Sequence, residues 1–118
     1  MREDKLGDLS MELSVDILQL TKELRAKREN VISNQIGRSA TSICANIAES
    51  KYAHGCADFI AKLEIALKEA SETEYWLELL HESGYIDNQT AFESVYQDCQ
   101  EILSILAAIT KTQKESRL

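Results

Sequence analysis

Residues 35–50 read QIGRSATSICANIAES, with two charged residues, Arg38 and Glu49, among small polar and apolar ones. Ile36, Ala40, Ile43 and Ile47 step by three or four, the recurrence of one face of a helix, and Ile32 extends the series backwards. A second series, Gln35, Ser39, Ser42, Asn46 and Glu49, keeps the same steps and forms a polar stripe beside the apolar one. The remaining face carries Gly37, Thr41, Ala45 and Ala48. A solvated helix face more usually holds Lys and Glu, so this helix is expected to be largely enclosed, with protein on more than one side. The competing reading is a plain surface of small polar residues.

Working outward, the same periodicity predicts three more helices. Leu9, Leu13, Ile17, Leu20 and Leu24 mark a first helix over about residues 8–28, and the quoted stretch lies in a second over 31–52. Gly55 is a tolerable N-cap, with Asp58 placed to accept hydrogen bonds from first-turn amides, and Phe59, Leu63, Ala66, Ala70, Leu77 and Leu80 carry a third helix over 56–83. Ser83-Gly84 should close it, since glycine readily takes the left-handed conformation that ends many helices. Asp87 is placed to cap a fourth helix over 88–112, on the regular seam Phe92, Val95, Cys99, Ile102, Leu106 and Ile109, with fraying from Lys111 to Leu118. Short connections force neighbouring helices to alternate direction. The expected fold is all-α: an antiparallel up-down-up-down four-helix bundle forming a single domain over residues 1–118.

Composition agrees with this reading. The chain has 118 residues, no proline and four glycines, so the main breakers of long elements are scarce. The net charge of −7 opposes nucleic acid and anionic lipid at long range, which leaves only local basic patches to bind either. Three cysteines, Cys44, Cys56 and Cys99, lack C-x-x-C spacing and suggest neither a disulfide framework nor a zinc knuckle. No apolar run approaches the length of a membrane span and the first residues do not resemble a signal peptide, so a reducing cytoplasm is the expected location.

Candidate sites follow from this arrangement. Antiparallel pairing of the second and third helices puts Arg38 level with Glu72 and Glu74, and Glu49 level with Lys62; an enclosed guanidinium should contact Glu72 or Glu74. Glu78 and His81 form one Glu-x-x-His motif of the type that holds di-metal centres, but no second motif exists, and His54 with Cys56 supplies too few ligands for a zinc site. Ser39 and Ser42 have no histidine near them to serve as base. No catalytic, cofactor-binding or metal-binding residue is therefore assigned. Tyr75 and Trp76 suit either an interface or the core. Candidate nucleic-acid contacts are Lys22, Arg25, Lys27 and Arg28 at the end of the first helix, and Lys111, Lys114 and Arg117 in the tail, at opposite ends of the bundle. Between Asp58 and Glu101 acids outnumber bases eleven to two, which makes that flank acidic.

The residues Gln35, Arg38-Ser39, Ser42-Ile43, Asn46-Ile47 and Glu49, followed by Phe59, Ala66, Glu72 and Leu77, resemble the four-helix-bundle proteins encoded in intervening sequences of bacterial 23S ribosomal RNA genes. The match covers about residues 34–86. The resemblance implies a homo-oligomer, a pentamer in known members, without an established enzymatic activity or cofactor. Similar proteins serve diversity-generating retroelements as accessory factors that bind nucleic acid and reverse transcriptase; those are strongly basic, whereas this chain is acidic.

Overall fold

The computed structural model describes residues 4–116, which form four helices: α1 (Lys5–Ala26), α2 (Val31–Ser50), α3 (Cys56–Glu82) and α4 (Gln89–Ser116). Each boundary has a local cause. Asp4 caps α1 by accepting the Gly7 N–H at 3.0 Å. The helix stops at Ala26, short of the expected end near Arg28, because Arg28 adopts a φ of 64° and the Glu29 N–H turns back to the Leu24 carbonyl at 2.8 Å. α2 ends at Ser50, where the chain tightens so that the Tyr52 N–H reaches the Glu49 carbonyl at 3.0 Å.

Gly55 precedes α3 with a φ of 142°, a conformation that side chains disfavour, and Asp58 reaches back to the His54 N–H at 3.1 Å rather than to a first-turn amide. Gly84 closes α3 as expected, with a φ of 85° and the Tyr85 N–H bonded to the Leu80 carbonyl at 2.9 Å. The cap of α4 is Asn88 rather than Asp87: its Oδ1 accepts the Ala91 N–H at 3.0 Å. α4 then continues to Ser116, past the expected fraying from Lys111.

The helices alternate in direction, and each packs on its neighbours in sequence, with α1 and α4 meeting least. No Cα of α1 comes within 8 Å of α3, nor any of α2 of α4, among the described residues. In cross-section the helices thus stand at the corners of a quadrilateral in chain order. The bundle measures 48 × 30 × 21 Å. Its core draws on every helix: Leu13, Ile17 and Leu24; Ile36, Ala40 and Ile43; Leu63, Ala66, Ala70 and Leu77; Cys99, Ile102 and Leu106 are all buried. Each fully buried Leu or Ile contributes roughly 1.5–3 kcal/mol. Ala40, Ala66 and Ala70 leave room for close helix approach. No helix of the described residues is long and apolar enough to cross a membrane.

Candidate interaction face on α2

The residues that distinguish α2 divide into an inward polar seam and an outward face. On the seam, Ser39 is fully buried and shares a 2.8 Å hydrogen bond with Thr73 of α3, whose hydroxyl donates to the Glu69 carbonyl at 2.9 Å. Asn46, also buried, donates to the Ser42 carbonyl at 2.9 Å. Toward α1, Ser14 donates to the Ala40 carbonyl at 3.3 Å and Ser33 to the Thr21 carbonyl at 3.4 Å. Every buried side-chain polar atom among the described residues has a partner. That is the condition under which small polar residues can line a helix interface without a desolvation penalty.

Outside the seam the single chain encloses α2 only in part. Gln35, Arg38, Thr41, Ala45, Ala48 and Glu49 are exposed in the single chain, and Ser42 is half-buried. The physical reason is the quadrilateral: α2 has only α1 and α3 as neighbours, so its outer side meets no helix of its own chain. This face has no lysine, and its only charges are Arg38 and Glu49 at its margin toward α3.

Arg38 bridges α2 to α3. Its Nη1 donates to Glu69 Oε2 at 2.8 Å, and its Nη2 donates to Glu72, the expected partner. Glu74, the alternative, is not a partner; on a helix it is turned away from Glu72 toward α4, where its charge acts on Tyr96 and Cys99. Glu69 was not anticipated, although its spacing of one helical turn before Thr73 puts it on the same side as Glu72. Glu72 also accepts the Trp76 indole N–H at 3.0 Å, and that bond, followed by the Arg38 contact, holds its carboxyl below the usual range against the opposing effect of burial. The paired carboxylates hold the Arg38 guanidinium above its ordinary value. Lys62 approaches Glu49 at 3.9 Å, the outer limit of an ion pair.

Other candidate groups are placed as follows. His81 stacks on Phe92 with ring centroids 3.9 Å apart and pairs with Gln89 at 2.8 Å, so α4 occupies it. His54, in the turn, and Cys56, the first residue of α3, are both exposed. Trp76 packs against the core while Tyr75 faces out. Cys99 is buried, and burial pushes its thiol up to about 12. Across α1 and α4, carboxylates of Glu12, Asp16 and Asp98 gather within 4.8 Å, with no histidine or cysteine among them.

The basic clusters lie at opposite ends of the bundle. At one end Lys27 donates to the Tyr85 carbonyl at 3.0 Å and Arg25 to Asn34 at 3.4 Å, while Lys22 and Arg28 are exposed. At the other Lys114 pairs with Glu64 at 3.2 Å and Lys111 is exposed; Arg117 lies outside the described residues. Sequence reasoning also missed an exposed apolar ridge on α1, Met11, Val15 and Leu18, whose spacing of four and three was legible beside the core series.

These features define an all-α antiparallel bundle with an uncovered face of small residues along its second helix. The chain belongs to the 23S rRNA-intervening sequence protein family, whose family model matches residues 3–108. It is similar to a protein of unknown function from the S23 ribosomal protein family of Bacteroides thetaiotaomicron, solved by crystallography: 50% identity, a TM-score of 0.85, covering 90% of this chain and 98% of that one. Among curated proteins none matches this chain.

Proposed function

We propose that this protein is a non-enzymatic homo-oligomeric scaffold in which the outer face of α2 supplies a subunit contact. The observation that carries the reading is the run of exposed small residues, Thr41, Ala45 and Ala48, between Gly37 and Glu49. Short side chains allow another backbone to come close, and a face without lysine loses little hydration when covered. Gln35, Arg38, Ser42 and Glu49 rim that face and supply polar contacts, while Ser39 through Thr73, and Glu69 and Glu72 through Arg38, hold α2 in register against α3. Five subunits is the count the family resemblance implies. Free cysteines are consistent with residence in the reducing cytoplasm.

Sedimentation equilibrium on the purified protein at micromolar concentration is the direct test. A single species several times the chain mass is expected; a strict monomer rejects the proposal. A second reading, nucleic-acid binding, rests on Lys22 and Arg28, exposed at one end without a carboxylate partner among the described residues. It requires binding to RNA or DNA that falls steeply with added salt and is lost in Lys27→Glu/Arg28→Glu.

A further inference from the structure

Two apolar ridges flank α2, and the single chain leaves both uncovered. On α1, Met11, Val15 and Leu18 are 58%, 59% and 47% exposed and recur on one stripe. On α3, Ile65, Tyr75 and Leu79 are exposed on the side away from the core. A single exposed apolar side chain needs no explanation, but aligned groups on two helices indicate a covered surface.

The register of the bundle relates the two ridges. Ser14 meets Ala40 and Thr21 meets Ser33 between α1 and α2; Arg38 meets Glu72 and Ser39 meets Thr73 between α2 and α3. Carried through α2, this places Val15 level with Glu72, Leu18 with Tyr75 and Arg25 with Glu82, on two helices that run in the same direction. Toward the same end of the bundle, α1 then presents Lys22 and Arg25, and α3 presents Glu82 together with Glu78, which also accepts the Tyr96 hydroxyl of α4, all four exposed. The two apolar stretches are thus centred at the same height, with exposed Lys68 and half-buried Glu72 between Ile65 and Tyr75, and basic Arg25 is level with acidic Glu82.

We infer that α1 of one copy docks in parallel alongside α3 of the next, setting Met11, Val15 and Leu18 against Ile65, Tyr75 and Leu79, and Lys22 and Arg25 against Glu78 and Glu82. This deepens the homo-oligomeric reading above and rests on it. The occupant of each ridge is a second copy of this chain because the chain itself carries both halves of the match. The contact joins two different surfaces, so each subunit uses one ridge toward each neighbour. A two-fold α1 to α1 contact covers one ridge and leaves that of α3 bare. In the proposed contact Lys22 and Arg25 are spent on a neighbouring subunit rather than on phosphate.

The test uses Val15→Glu and Leu79→Glu in the full chain, with helical content and a cooperative melt confirming that each variant is folded. Should Leu79→Glu lose its cooperative melt, Tyr75→Glu at the more exposed position takes its place. Each variant is expected to be monomeric where wild type assembles, with association weakened by about tenfold or more. Mixed in equal amounts, the two are expected to form a heterodimer, since one retains an intact α3 ridge and the other an intact α1 ridge. In wild type, Arg25→Glu should weaken association by about fivefold, and adding Glu82→Arg should restore it. Assembly of either apolar variant with wild-type affinity overturns this contact and leaves the homo-oligomer standing. So does Leu79→Glu that remains dimeric while Val15→Glu does not, or a mixture that fails to pair. A monomeric wild type overturns both readings.

Discussion

Arg28 holds the end of α1 in a conformation that a residue with a side chain rarely adopts, with a φ of 64°. Its place is set by the bonds around it: Arg28 N–H to the Arg25 carbonyl at 2.9 Å and Glu29 N–H to the Leu24 carbonyl at 2.8 Å. Glycine takes the same shape without the clash between Cβ and carbonyl that a left-handed L-residue carries, a penalty of about 1–2 kcal/mol. Arg28→Gly is therefore expected to stabilise the fold by about 1 kcal/mol, measured as a higher midpoint of urea unfolding at unchanged slope. The sequence concealed this turn. Glu29-Asn30 marks a break in the apolar pattern, but nothing in the letters shows that arginine occupies a position usually filled by glycine. Similarly, Asp87 and Asn88 are both good caps by type, and only the backbone path shows that the second one bonds the Ala91 N–H.

Between helices, the α1–α4 seam differs from the others. It is the sparsest contact in the bundle, and it gathers Glu12 and Asp16 of α1 with Asp98 of α4, while Glu101 nearby is paired with Lys5 at 2.9 Å. Burial, and then the charges of Asp16 and Glu101, raise the Asp98 carboxyl above its usual range. A raised carboxyl binds its proton more tightly in the folded state, so its ionised form lowers stability as pH rises through that value. Asp98→Asn should consequently raise the melting temperature near pH 7 and change it little near about pH 3, where Asp98 is protonated in both states. Periodicity revealed the apolar lines of all four helices because one buried stripe per helix dominates each pattern. It could not reveal this acid cluster, which depends on the rotation of α1 against α4. The same limit applies to Arg38: heights along the helices put both Glu72 and Glu74 within reach, and helix rotation selects Glu72 with Glu69.

For the molecule as a whole, the core seals one thiol completely. Cys99 lies among Ile102, Leu106 and Ala70, its Sγ 3.4 Å from the Ala70 carbonyl, whereas Cys56 is exposed and Cys44 half-buried. In native buffer a thiol reagent should label Cys56 fast, Cys44 more slowly, and Cys99 only at the rate of global opening, which mass spectrometry of digested protein can resolve. The character of α2 was half legible at this scale. Its small residues signalled close packing, but a sequence cannot separate the part covered by α1 and α3 from the part exposed in the single chain. The quadrilateral in chain order carries one more consequence. Every well-packed pair of helices is joined by a short turn, so almost no entropy of long-loop closure stands in the way of collapse, and only the meeting of the first and last helices requires distant parts of the polypeptide to find each other. Such a topology belongs with rapid folders, with hairpins that can form as the nascent chain emerges and a final, sparse closure that completes the ring of four.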